Sequence, residues 1–280
     1  MTPKAARFRE ALDEGRADRR SVGFVPTMGA LHEGHRSLIR RARRDCDLVA
    51  VSIFVNPLQF GDERDLATYP RDPDRDAEVA DGEGVDLVFA PDVDELYPEG
   101  DPIVTIDPGP LGNLLEGAAR PGHFRGVCVV VAKLFSLAGP CRAYFGEKDA
   151  QQLAIISRMV ADLELPVEIV PCPTVREDDG LAMSSRNSHL SPEQRAAAAC
   201  LSRALGEAEA LVREDERNAH VLKAAMARRI GAEPLARLDY VAVVDERTFA
   251  EVSEIGSPAR ALVAAWFGAI RLIDNTSLAP

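Results

Sequence analysis

Apolar and polar positions follow two different rhythms along the chain. In the first two thirds, short apolar runs are separated by stretches of helical character. Val22–Val25 is one such run, followed by a loop and a helical pattern around Leu38–Arg44. Leu48–Val55 reads as a fully buried strand, and Val85–Phe89 as a shorter one. Ala143–Phe145, Gln151–Leu163 and Val167–Val170 make a strand–helix–strand unit. Gly126–Leu137 carries strand-like valines but is equally open to a helix, and its period does not decide. Alternation of this kind predicts an α/β fold, a parallel sheet covered by helices on both faces. Proline-rich segments at 70–73 and 91–110 are expected to be irregular excursions from the sheet edge.

Past about Val175 the rhythm changes. Ser191-Pro192-Glu193 reads as a helix start, with serine as cap and proline at the first helical position. Alanine- and arginine-rich helical stretches follow over 192–211 and 214–230. Tyr240–Val244, Ala261–Phe267 and Ile270–Ile273 read as strands, the last two joined by a glycine-containing hairpin turn. Helices followed by close-set strands predict a small α+β domain. The boundary is expected near Thr174–Gly180, separating residues 1–175 from 176–280.

Composition narrows the function. The 280 residues suit about two domains. Hydrophobic residues at 46% and charged residues at 28% exclude a disordered or fibrous chain. The net charge of −12 argues against a nucleic-acid surface, so any anionic ligand needs a locally positive pocket. Cys46, Cys128, Cys141, Cys172 and Cys200 form no C-x-x-C pair and suit reduced thiols better than disulfides or a zinc site. No apolar run reaches the roughly 18 residues of a membrane span. The charged first twenty residues lack a signal h-region, so a soluble cytoplasmic protein is expected.

Four segments carry candidate chemistry. In Pro26-Thr27-Met28-Gly29-Ala30-Leu31-His32-Glu33-Gly34-His35, a loop follows a predicted strand and opens a predicted helix, where phosphate is favoured. His32 and His35 share a helix face and can grip one polyphosphate. The competing reading makes one histidine a helix cap and the other a packed surface residue. H-E-G-H lacks the spacing of a zinc protease, and neither a Walker A sequence nor G-x-G-x-x-G is present. Phe145-Gly146-Glu147-Lys148-Asp149 offers a lysine for phosphate, with Gln151 or Gln152 to read a small ligand; alternatively it is a solvated helix start capped by Asp149. Met183-Ser184-Ser185-Arg186-Asn187 offers two hydroxyls and a guanidinium, an oxyanion clamp or ordinary loop chemistry. Asn56 and Gln59, in Phe54–Gly61, sit off the end of the best strand, as ligand contacts or as turn formers.

H-x-G-H after the first strand, with the serine-rich loop later, resembles the HIGH nucleotidylyl-transferase superfamily. More narrowly, TMGALHEGH, FVNPLQFG, FGEKD and VREDDGLAMSSRN, in this order, resemble the pantoate–β-alanine ligase family over essentially the whole chain. The resemblance implies a Rossmann-like first domain and a smaller α+β C-terminal lid. It also implies ATP-dependent condensation of pantoate with β-alanine through a pantoyl adenylate, with release of pyrophosphate and AMP, in pantothenate biosynthesis. Mg²⁺ and a homodimer are implied as well, with no partner among nucleic acids or membranes.

Residue by residue, the resemblance puts ATP at Met28, Gly29, Ala30, Leu31, His32, Glu33, Gly34 and His35. It continues at Gly146, Glu147, Lys148 and Asp149, then at Val175, Met183, Ser184, Ser185 and Arg186. His35 takes the place of the catalytic proton donor, with His32, Lys148 and Arg186 beside it in catalysis. Gln59, Gln152 and Asn56 fall on the substrate side, and no metal ligand is assigned. Ala150 departs from the pattern, where an aromatic is expected. Competing readings are an AMP transferase acting on a phosphorylated precursor, a tRNA synthetase-like protein, and a non-catalytic nucleotide sensor. AMP formation separates the sensor from the enzymes, and β-alanine dependence separates the ligase from the transferases.

Overall fold

A computed structural model describes residues 1–61 and 63–279. It divides into two compact units: Met1–Glu147 with Gln151–Pro173, and Lys148–Ala150 with Thr174–Pro280.

The first unit is built on β1 (Val22–Thr27), β2 (Leu48–Ile53), β3 (Leu87–Phe89), β4 (Cys141–Gly146) and β5 (Val167–Cys172). They form an all-parallel sheet in the order β3-β2-β1-β4-β5. Their side chains alternate between two cores, as a period of two requires. Val22, Phe24, Leu48, Ala50, Ala143 and Phe145 face one core, and Val25, Val49, Val51 and Tyr144 the other.

Helix α1 (Ala5–Ala17) covers the first core with Phe8 and Leu12. No expectation covered it, because two large apolar residues one turn apart among charges make a weak pattern. Both are nevertheless fully buried, and Phe8 stacks on Phe89 with ring centroids 4.7 Å apart. On the opposite face, α2 (Glu33–Asp45) buries Leu38, Ile39 and Ala42.

Helices α3 (Glu63–Thr68) and α4 (Pro73–Gly82) connect β2 to β3. Pro73 is therefore not a break: it opens α4, behind the capping carboxylate of Asp72. After β3 the chain passes through α5 (Val93–Leu96), a 3-10 turn and α6 (Glu116–Ala119). The undecided valine-rich segment is helical, as α7 (His123–Ala138). It is buried on nearly every side, so its apolar positions carry no amphipathic period. Helix α8 (Ala150–Asp162) then crosses from β4 to β5.

The second unit packs α9 (Pro192–Ala198), α10 (Cys200–Arg213) and α11 (Ala219–Gly231) with β6 (Ala236–Asp245), β7 (Ala259–Phe267) and β8 (Ile270–Leu278). The strands are antiparallel in that order, and Gly268-Ala269 turns the β7–β8 hairpin. Ser191 and Gln194 form a reciprocal capping box. The helix expected over 192–211 is interrupted at Ala199, whose carbonyl accepts the Ser202 hydroxyl. The one expected from 214 starts at 219, because Asp215 is left-handed (φ 71°) and the Asn218 side chain caps His220.

The five cysteines are free. Burial pushes the Cys128, Cys172 and Cys200 thiols up to about 11. Among the described residues, no helix is long and apolar enough to cross a membrane.

Candidate active site

In the first unit the chain winds outward from β1 through β2 to β3, then returns to lay β4 against the other side of β1. The strand order reverses between β1 and β4, and ligands of open α/β sheets bind off the carboxyl ends of strands at such a point. The Met28–His32 loop leaves the end of β1, and Gly146-Glu147 leaves the end of β4.

The loop after β1 is tightly organised. Gly29 (φ 82°) and Ala30 (φ 51°) are both left-handed, a conformation that favours glycine and is strained for alanine. Thr27 Oγ1 accepts the Gly29 N–H at 3.2 Å. Asp76, on α4 and 2% exposed, accepts the Ala30 N–H at 2.9 Å and the Leu31 N–H at 2.7 Å, one on each oxygen.

His32 then caps α2: its Nδ1 accepts the Gly34 N–H at 3.1 Å, and His35 Nδ1 accepts the His32 N–H at 3.3 Å. The rings lie 4.1 Å apart. Because each Nδ1 is an acceptor, each neutral imidazole carries its proton on Nε2. Capping and phosphate binding are thus compatible roles for the same two histidines.

Gln59 is buried beside this loop. Its Nε2 donates to Met28 Sδ at 2.9 Å, and its Oε1 accepts from Asn56 Nδ2. Asn56 is fully engaged with Gln59, the Gly126 carbonyl and the Tyr97 hydroxyl. Burial raises the Tyr97 phenol, which keeps it a donor. The Gln59 carbonyl receives His123 Nδ1 at 2.8 Å and Arg120 at 3.3 Å. Gln151 and Gln152 have separate fates. Gln151 is buried and spent on the backbone of Leu111, Leu114 and Glu116, whereas Gln152 is half-buried on the first turn of α8.

In the second unit, the Thr174–Gly180 segment is one arm of a braced hairpin. The Met183 N–H donates to the Val175 carbonyl at 2.9 Å. Arg176 makes a bidentate pair with Asp274 at 2.6 and 3.0 Å, and Arg195 holds Glu177 and Asp179. Burial pushes the Asp274 carboxyl above the usual carboxylate range, with Arg176 opposing it. Next along β8, Asn275 donates to the Lys148 carbonyl at 2.8 Å. Ser184 Oγ accepts the Arg186 N–H, which turns the chain into a short 3-10 segment through His189.

The sequence profile of pantoate–β-alanine ligases matches residues 1–277. The chain belongs to the pantoate–β-alanine ligase family. A pantothenate synthetase of Roseiflexus sp. (strain RS-1) is 57% identical over 258 residues, 92% of each chain. That of Rubrobacter xylanophilus is 53% identical over 277 residues, 96% of this chain and 95% of its own. Among solved structures, a Thermus thermophilus pantothenate synthetase superposes with a TM-score of 0.93 at 49% identity, covering 100% of this chain and 99% of that one. A Francisella tularensis pantoate–β-alanine ligase, crystallised with β-γ ATP and β-alanine, gives a TM-score of 0.80 at 34% identity over 98% and 96% of the chains. Both the Rossmann-like first unit and the antiparallel second unit agree with the family's structures.

Sequence reasoning missed Asp76, Arg120, His123 and Asp274, which hold the segments just described. Three of them act on backbone atoms, and a backbone partner leaves no residue-type signature. Only Asp274, paired to Arg176 in VREDDG, had a charged partner within a recognised motif.

Proposed function

We propose that this chain condenses (R)-pantoate with β-alanine at the expense of ATP, through a pantoyl adenylate, releasing pyrophosphate and AMP. The carrying observation is the imidazole pair at the start of α2, with both Nδ1 atoms accepting backbone N–H at the carboxyl end of β1. Two Nε2–H donors fixed in this way suit the phosphoryl oxygens of ATP. The Francisella relative crystallised with β-γ ATP and β-alanine supports both as ligands here.

A carboxylate does not condense with an amine at neutral pH, because oxide is too poor a leaving group. In the first step a pantoate carboxylate oxygen attacks the α-phosphorus. The bond to the bridging oxygen breaks, and pyrophosphate leaves with the electron pair. In the second step the β-alanine nitrogen attacks the acyl carbon, the bond to AMP oxygen breaks, and the amine proton passes to solvent. Negative charge grows on phosphoryl oxygens in the first step, where fixed N–H donors contribute most. Holding both reactants supplies effective molarity.

In the first unit, Met28–His35 and Gly146-Glu147 take the nucleotide, with His35 as proton donor and His32 beside it. Gln59 and Gln152 hold pantoate, and Asn56 acts through Gln59. In the second unit, Lys148, Asp149, Val175 and Met183–Arg186 serve the nucleotide, Lys148 and Arg186 carrying the charge. Mg²⁺ enters with ATP as substrate, an ion held largely by phosphate oxygens and water. Among the described residues, no three His, Cys, Asp or Glu side chains gather into a cage of their own. A cytoplasmic homodimer belongs to the same proposal, supported by resemblance to the family.

The test is exchange of labelled pyrophosphate into ATP with pantoate and Mg²⁺ present and β-alanine absent. Exchange should require pantoate, and adding β-alanine should divert the intermediate to pantothenate and AMP. Exchange that needs β-alanine, or pantothenate formed without any exchange, would overturn the two-step route.

A further inference from the structure

Five of the eight backbone N–H groups from Met28 to His35 are spent within the protein. The amides of Gly29, Ala30, Leu31, His32 and Gly34 all donate within the protein: to Thr27, to Asp76 twice, to His35 and to His32. A phosphate loop built from free backbone amides would show the opposite. Two of the five are taken by one buried carboxylate, so an anion is held where the fold is expected to receive a polyphosphate.

We propose that Asp76 is the positioning residue of this site. Its carboxylate fixes the left-handed Gly29-Ala30 turn that presents His32 and His35, and withholds the Ala30 and Leu31 N–H groups from phosphate. The inference rests on Met28–His35 being the nucleotide loop.

Three observations converge on it. Ala30 at φ 51° is strained, and strain of this kind persists only where the surroundings over-determine it. The two N–H groups meet the two oxygens of a single side chain, at 2.9 and 2.7 Å. The close packing also excludes a side chain at Gly29: a β-carbon there would lie 2.7 Å from Asp76 Oδ2. Asp76 itself sits in the first turn of α4, where the helix dipole stabilises negative charge.

Only a carboxylate supplies two acceptors to two convergent donors. Asparagine has the same shape but presents one acceptor and one NH₂ group, so it faces one of the amides with a donor. Asp76→Asn should therefore release the turn without emptying its space. Misplacing the imidazoles by about 1 Å is enough to lower the first half-reaction by about 10²-fold.

The experiment measures pyrophosphate exchange, kcat, and KM for ATP and for pantoate in Asp76→Asn and Asp76→Glu, with folding checked by circular dichroism. The expected result is a loss of exchange and kcat in Asp76→Asn, with pantoate KM little changed and partial recovery in Asp76→Glu. A folded Asp76→Asn that exchanges like the parent overturns the proposal, as does an equal loss for both substrates. His32→Asn and His35→Gln run alongside: if they too retain exchange, the nucleotide-loop reading fails, whereas if they lose it and Asp76→Asn does not, only the Asp76 inference fails. Should Asp76→Asn not fold, the unaltered protein gives the answer by NMR. Hydrogen-bond coupling between ³¹P of a bound ATP analogue and the ¹⁵N of Ala30 or Leu31 would overturn it, and amide signals keeping their free-state shifts on nucleotide binding would support it.

Discussion

His35 Nδ1 accepts the backbone N–H of His32 at 3.3 Å, closing a capping box made of two imidazoles. The usual box has a serine or threonine cap and a glutamate or glutamine three residues on. Substitution can therefore separate the cap from the chemistry. His35→Gln restores a side chain able to reach back to residue 32, and His32→Asn installs a favoured cap. Both variants should keep thermal midpoints close to the parent while kcat falls by about 10²–10³ for His35→Gln, the value of one lost donor to a growing anion. Retained kcat in a stable His35→Gln would reduce His35 to a structural cap.

Gly126 marks where α7 passes the turn that carries Gln59. A β-carbon on residue 126 would lie 2.2 Å from the Leu58 carbonyl oxygen and 2.7 Å from the Gln59 nitrogen. Both are backbone atoms, so Gly126→Ala must push the turn away, at about 1–3 kcal/mol of stability. The displacement moves Gln59 before it reaches the histidine loop. Pantoate KM should rise more than ATP KM in initial-rate measurements, and Gln59→Ala should share that signature. Equal changes in both would contradict the assignment of Gln59.

Glu83 ties α2 to the end of α4 by accepting from Arg36 at 2.5 Å and Arg40 at 2.8 Å. The Arg40 hydrogen bond holds its carboxyl below the usual range, against burial. A depressed carboxylate contributes stability that is present above its unfolded value, about 4.3, and lost as pH falls through the folded one. Acid should therefore loosen the anchorage of the histidine helix. Glu83→Gln should flatten the fall of thermal midpoint with acidification; curves parallel to the parent's would rule this out.

Asp274 has the opposite sign. Its carboxyl is raised by burial, so its contribution is present at acid pH and lost as pH rises through the folded value. Arg176→Met removes the charge that opposes this rise. The variant should lose more stability, relative to the parent, at neutral pH than near pH 4. A deficit independent of pH would show that Asp274 does not take up a proton when its partner is gone.

The legible part of the fold follows the physics of periodicity. Leu48–Ile53 stands out because a strand buried on both faces is continuously apolar, and the β7–β8 hairpin because Gly268 marks its turn. The same physics hides α7, whose burial on nearly every side erases any period. The gap at 214–218 escaped because a left-handed aspartate leaves no pattern. In the candidate site, His32, His35, Gln59 and Lys148 are legible as residue types within motifs. Asp76 is not, because its partners are the amides of residues 46 and 45 positions away.

By itself the sequence determines the strands and most of the helices, the cap at Ser191, and the family to which the chain belongs. These rest on local pattern, local hydrogen bonding and motif order, which need no knowledge of what packs where. The order β3-β2-β1-β4-β5 belongs to the tertiary structure alone. Parallel pairing joins segments distant in the chain, and an apolar strand pairs as well with one neighbour as with another until the crossover helices are packed. That order sets Phe24 beside Ala143 and makes the end of β1 a switch point. Tertiary packing also brings α4 to the histidine loop, where Asp76 holds the backbone from which both imidazoles are presented.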